Sequence, residues 1–258
     1  MLVKHNLFQL VSKCYTLFFL LKKLIFQSTN SKRYNYHLLG QIQLMGIDSL
    51  TVVLATSFSL AMIFTFQVAK ELKYLGVPQL VGSVLIVTFI RELSPVLTAV
   101  IIAGRVGSAF TAEIATMQVT QQIDVLYTLN IDPCDYLVKP RVFACMLMLP
   151  ILNFISLATS ITTSIMIASV LYEIAPSVFL ISSNCSYIDF IYSSIKSIVF
   201  GLVISIISCV WGLTVDGGSK NVGKSTTSSV VTILLVIFIL DFCLSFIMFR
   251  SSNSLLSI

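Results

Sequence analysis

Two stretches of this chain run without a charge for longer than a soluble fold can conceal. Val142 to Tyr172 contains no Asp, Glu, Lys or Arg, and neither does Ser225 to Leu240, which continues past a single Asp241 to Phe249. About 18 apolar residues in a row suffice for a helix to cross the hydrocarbon of a bilayer, and both runs reach or approach that length. Hydrocarbon offers the backbone no hydrogen-bond partner, so only helices or closed barrels cross it. The runs lack the apolar/polar alternation of barrel strands, which leaves helices.

Composition fits the same class. The chain has 258 residues, 57% hydrophobic and 10% charged, against roughly 45–50% and 25% in an ordinary soluble domain. The pattern predicts an all-α membrane protein with an N-terminal interfacial helix and five transmembrane helices, at about 48–68, 80–104, 142–172, 190–213 and 227–249. An interfacial region over 1–46 and one membrane domain over 47–258 follow, with no internal repeat or soluble domain. Within the first region, residues 7 to 27 are apolar but broken by Lys13, Lys22 and Lys23, too short a core to span. Gln27 to Asn30 supplies no small-residue cleavage site, so the segment reads as a helix lying at the headgroups, with a basic leader as the alternative.

Basic residues orient the bundle. With the N-terminus inside, the inner segments hold eleven of them, among them Lys22, Lys23, Arg105, Lys139, Arg141, Lys220 and Lys224. The outer segments hold Lys70, Lys73, Lys196 and Arg250. The inner excess predicts N-terminus in and C-terminus out. It also disposes of nucleic acid as a partner, because the net charge of +5 is spread over loops beside spans rather than gathered on one face.

The six cysteines form no C-x-x-C pair, and most fall within apolar runs, where they act as small hydrophobes. The two histidines, His5 and His37, both precede the first span. No cluster has metal-ligand spacing, so neither a metal site nor any other cofactor is implied, and histidine-based catalysis has no support. Gly218 to Ser225 satisfies G-x-x-x-x-G-K-[ST], but a phosphate-cradling loop sits between strand and helix of a covered parallel sheet. Both flanks here are membrane spans, and the segment reads as a glycine-rich basic inner loop.

The stretch from Arg91 to Arg141 departs from this logic. Arg91 and Glu92 lie side by side within the second span, where an unpaired charge costs at least a few kcal/mol. Pro95 has no N–H to donate to the carbonyl of Arg91, so a kink and a free acceptor are expected beside the charges. Either a polar element on a substrate path or a structural ion pair accounts for them. Farther on, Ala99, Ala103 and Gly107 recur every fourth residue, as do Gly104, Ser108 and Ala112. Such stripes let helices approach closely, within the chain or against a second copy. From Thr111 to Tyr127 apolar residues alternate with amides and carboxylates at helical spacing, which predicts a short amphipathic helix on the inner face. That helix either docks in a groove of a soluble partner or rests on its own bundle. Asp132-Pro133 then caps and opens the next helix.

These residues together resemble the MlaE family of ABC transporter permeases. The matching string runs Arg91-Glu92-Leu93, Pro95-Val96, Ala103-Gly104-Arg105, Gly107, Ala112-Glu113-Ile114, Gln122-Ile123-Asp124, Asp132-Pro133 and Pro140-Arg141, with Asp216-Gly217-Gly218 and Asp241 beyond it. The resemblance implies a homodimer of five-span subunits, each docking one cytosolic or stromal ATPase through the helix around Gln122 to Leu126. It further implies a lipid-binding partner on the opposite face and transport of phospholipids or related lipids, with ATP hydrolysis on the partner chain. On that basis Arg91, Glu92, Pro95 and Asp241 are candidates for the lipid path or its gating. Glu113, Gln122, Ile123, Asp124, Leu126, Asp132 and Arg141 are candidates for ATPase coupling, and Ala99, Ala103, Gly104 and Gly107 for helix packing. Two departures stand out: Gln121 replaces a usual Glu, and Ser94 a usual Gly. The family occurs in bacteria and in algal plastid genomes, and the Ile, Lys, Asn and Ser bias favours a plastid membrane, with a bacterial inner membrane as the alternative. A membrane scaffold that recruits a soluble partner without moving anything is the competing function.

Overall fold

The long uncharged runs fold as helices in a computed structural model, which describes residues 32–181 and 187–255. The segment 7 to 27 lies outside these residues. Helix α1 (Lys32–Met45) leads almost directly into α2 (Ile47–Tyr74). Then follow α3 (Pro78–Val119), a short α4 (Gln122–Thr128), α5 (Cys134–Tyr172), another short helix α6 (Ser177–Ile181), α7 (Tyr187–Leu213) and α8 (Ser219–Leu255). Five of these are long and apolar enough to cross a membrane, and no strand occurs among the described residues.

Why these helices pack as they do is written in small and hydroxylated residues. Ser49, Val53, Ser57, Ala61, Thr65 and Ala69 recur every fourth residue of α2 and are all buried. They face α5, where Ser57 Oγ lies 2.7 Å from Thr159 Oγ1 and Thr65 donates to Ser164 Oγ at 2.8 Å. Without a hydrophobic driving force between helices in lipid, close packing and such interhelical bonds hold a bundle together. α7 runs through the middle, with 67% of its most apolar window buried, whereas α8 lies outermost with 11%. Two glycines let α7 into that position. A Cβ on Gly201 would stand 2.8 Å from the Cys145 carbonyl oxygen of α5, and one on Gly212 would stand 2.7 Å from Ile114 Cβ of α3.

Two local expectations change. The polar segment after the second span is not one amphipathic helix outside the membrane. Its first half continues α3 as far as Val119, because Phe110, Thr111, Ile114 and Ala115 are buried against neighbouring spans. The break comes at Gln121, which adopts a left-handed conformation (φ 60°), and only Gln122–Thr128 forms a separate helix. The glycine-rich inner loop likewise shrinks to a turn, since α8 already begins at Ser219 and takes Gly223, Lys224 and Ser225 into its first turns. A phosphate cradle needs these residues in a loop that aims successive N–H groups at one point, which a helix does not do.

Candidate functional site

Pro95 acts as its chemistry requires. The α3 helix widens into a π-turn over Phe89–Leu93 before resuming at Ser94, a distortion that tends to mark functional positions. The Arg91 carbonyl, deprived of the Pro95 donor, accepts instead from Lys196 Nζ at 2.9 Å.

Lys196 is the centre of the site, and sequence reasoning misplaced it among the outer-segment charges. Its side chain is 2% exposed, inside α7. The ammonium reaches Glu92 Oε2 at 2.9 Å, Asp241 Oδ1 of α8 at 3.0 Å and Ser245 Oγ at 2.7 Å. Ser245 in turn donates to Glu92 Oε1 at 2.9 Å. Beside this group Arg91 Nε bonds Asp189 Oδ1 of α7 at 2.9 Å. Three helices thus contribute two cations and three carboxylates to one cluster, and a narrow cleft of about 20 Å³ opens among Arg91, Glu92, Asp189, Lys196 and Ser245. Asp189 and Lys196 carried a signal that a stricter reading would have found. They stand seven residues apart on one helix face, and a charge amid apolar residues of a span asks for a partner on another helix.

A second layer braces the cluster. Ser94, buried, donates to the Asn153 side chain of α5 at 2.7 Å, and Asn153 donates to Ser193 of α7 at 2.8 Å. Ser94 therefore supplies a hydroxyl that, through Asn153, ties α3 to α5 and α7.

The small-residue stripes separate. Ala99 and Ala103 are fully buried, and a Cβ on Gly107 would lie 3.2 Å from Ser208 and 3.3 Å from Ile233, so this stripe packs on α7 and α8 of the same chain. The other stripe looks outward, with nothing within 4 Å of a Cβ on Gly104.

The inner-face residues also divide. Asp132 Oδ1 accepts from the Cys134 N–H at 3.3 Å and so starts α5, as capping chemistry predicts. Arg141, 3% exposed, pairs with the half-exposed Glu113 at 2.6 Å and lies over the Phe110 ring at 5.4 Å. On α4, Gln122 and Asp124 are exposed, but Ile123 is buried against the bundle and Leu126 is half-buried. Val125 and Tyr127, at 55% and 62% exposure, present the apolar part of the exposed surface. No group of three or more His, Cys, Asp or Glu side chains that could hold a metal occurs among the described residues.

Five helices long and apolar enough to cross a membrane, with an ion cluster buried among three of them, define a multi-pass membrane protein. The family model for permease MlaE matches residues 38–247. A probable ABC transporter permease protein, ycf63, of Pyropia yezoensis is 54% identical over 84% of both chains. A probable ABC transporter permease protein of Synechocystis is 46% identical over 97% of this chain and 96% of its own. The chloroplastic protein TRIGALACTOSYLDIACYLGLYCEROL 1 of Arabidopsis thaliana is 44% identical over 83% of this chain and 62% of its own. The chain belongs to the MlaE family of ABC transporter permeases.

Proposed function

We propose that the chain is the lipid-moving permease of an ABC transporter in a plastid membrane, working as a homodimer with a separate ATPase on the inner face and a lipid-binding protein on the other. The chloroplastic and ycf63 relatives support the compartment, and the Lys196 cluster supports the mechanism. An ammonium held by two carboxylates, a serine and a carbonyl is a polar junction inside the bundle whose acceptors can be exchanged. A phosphate oxygen can replace Glu92 or Asp241 as acceptor without leaving the lysine bare. The cleft is too small for a headgroup as it stands, so the cluster serves as a closed gate that opens by exchanging partners. On the inner face, Gln122, Asp124, Val125 and Tyr127 form the docking surface for the ATPase, while Ile123 and Leu126 hold α4 on the bundle.

The test is lipid transfer between liposomes by the full complex. Replacing Glu92 by Gln should lower transfer at least tenfold while the complex stays assembled; normal transfer would return the cluster to a purely structural role. Val125→Asp combined with Asp124→Lys should abolish co-purification of the ATPase without affecting insertion, and unchanged co-purification would remove α4 from the interface.

A further inference from the structure

The inner end of the bundle contains a second polar cavity, far along α3 from the Lys196 cluster. It measures about 220 Å³ and is lined by Gln41 of α1, Glu113 and Met117 of α3, and Tyr136, Pro140 and Arg141 of α5. Its polar wall is incompletely paired. Arg141 gives Nη2 to Glu113, but its buried Nε and Nη1 have no acceptor, and the buried Gln41 Oε1 has no donor. A buried guanidinium with two nitrogens lacking an acceptor is costly, because their lost hydration is not replaced. A cavity wall that offers spare donors and a spare acceptor matches a ligand with the opposite set.

We infer that this cavity seats the headgroup of a phosphate-bearing lipid at the inner face, held by Arg141 and Gln41. A phosphodiester oxygen supplies the acceptor that Nε and Nη1 lack, in the geometry guanidinium groups favour for phosphate. A headgroup hydroxyl or ammonium supplies the donor for Gln41. Glu113 stands at the mouth with its side chain 47% exposed, so it keeps its bond to Nη2 from the water side while the headgroup occupies the inner edge. The walls favour a lipid over a free anion. Leu44 lies one turn from Gln41 on α1, and Leu147 lies two turns from Pro140 on α5. Both are exposed apolar side chains, at 38% and 54%, on the faces that carry the cavity residues. Acyl chains can follow these two residues away from the cavity.

The inference deepens the reading of the chain as a lipid-handling subunit and rests on it, but it fails separately, because it concerns retention at an inner site rather than transfer. The experiment is native mass spectrometry of the full chain in its purified complex, with three probes: short-chain phosphatidylglycerol, a galactolipid without phosphate, and inorganic phosphate. Phosphatidylglycerol should be retained at one per chain, at least tenfold more tightly than the galactolipid, and inorganic phosphate should not displace it. Arg141→Lys keeps a cation for Glu113 but loses the planar set of donors, and should weaken retention about tenfold. Met117→Phe, which fills the cavity from its apolar side, should do the same even if Arg141 variants fold poorly, while Leu235→Ala on the exposed face of α8 should leave retention unchanged. Equal retention by the Met117→Phe chain, or equal retention of the galactolipid, overturns the site. Displacement by inorganic phosphate at similar concentration overturns the lipid assignment in favour of a free anion. If retention behaves as expected while the wild-type complex moves no lipid, the transport reading fails and the site stands.

Discussion

Helix α3 carries a glutamate at each of two levels, and the bundle treats them differently. Glu92 lies within the span, where its carboxylate meets Lys196 of α7 and Ser245 of α8, and the same lysine holds Asp241. Glu113 lies near the inner end, where it meets one cation, Arg141, whose other face is covered by Phe110. The comparison shows how depth sets the number of partners a charge needs. Where water is absent, every carboxylate and ammonium must be met by groups from other helices. At the inner end solvent does part of that task for Glu113, whose side chain is 47% exposed and keeps a single ionic partner.

The sharpest break of this comparison removes the shared cation. Lys196→Met leaves Glu92 and Asp241 facing each other within the bundle, and it also leaves the Arg91 carbonyl without its acceptor role filled. Removing one partner of a buried ion pair typically costs about 3–5 kcal/mol, so the variant should show a large fall in thermal stability in detergent. Adding Asp241→Asn and Glu92→Gln should recover a good part of that loss, since the carboxylates are then neutral. A loss that persists in the triple variant would mean that packing around the lysine stem, and not charge, holds the three helices.

A smaller effect asks whether the two levels depend on the same central helix. Gly201 lets α7 touch the backbone of α5 near the upper level, and Gly212 lets it touch α3 near the lower one. Alanine at either position forces a backbone shift, costing about 1–3 kcal/mol as other overpacked sites do. Gly201→Ala, where the obstacle is backbone, should be the worse tolerated and should disturb the Lys196 cluster. Gly212→Ala meets Cβ and Cγ2 of Ile114, so pairing it with Ile114→Ala, which removes Cγ2 but keeps Cβ, should recover part of the stability. Equal behaviour of the two alanines, read by thermal unfolding, would show that α7 shifts as a rigid rod and couples both levels.

Much of this was legible in sequence, and the failures have a common cause. The spans, the acceptor freed by Pro95 and the cap at Asp132 follow from local chemistry, which neighbouring residues dictate. The resemblance string marked Arg91, Glu92 and Asp241, but the residue that joins them, Lys196, was assigned to an outer segment. Counting charges by segment carries no information on what a side chain meets across the bundle. The same limit explains α4. Helical spacing located an amphipathic segment, but which face packs inward depends on where α5 and α7 lie, so Ile123 and Leu126 face the bundle while Val125 and Tyr127 are exposed. The continuation of α3 to Val119 was hidden for the converse reason: polar residues such as Thr111 find partners on α7 and α8, at Ser208 and Ser229, and so need no water.

The least costly change probes the lower level alone. Glu113→Gln retains an oxygen that can accept from Arg141 Nη2 but removes the charge, and the carboxylate it replaces is 47% exposed. Pairs with one solvated partner contribute about 0–1 kcal/mol, so the stability change should be under about 1 kcal/mol. Its salt dependence is the informative part. Ions screen a carboxylate at the end of the bundle and reach Lys196, 2% exposed within a span, poorly. Wild-type stability attributable to Glu113 should therefore shrink from low to high salt, whereas the loss caused by Lys196→Met should stay constant over the same range. If both differences respond to salt alike, solvent reaches the upper cluster as freely as the lower pair, and the distinction between a dry level and a wet one is lost.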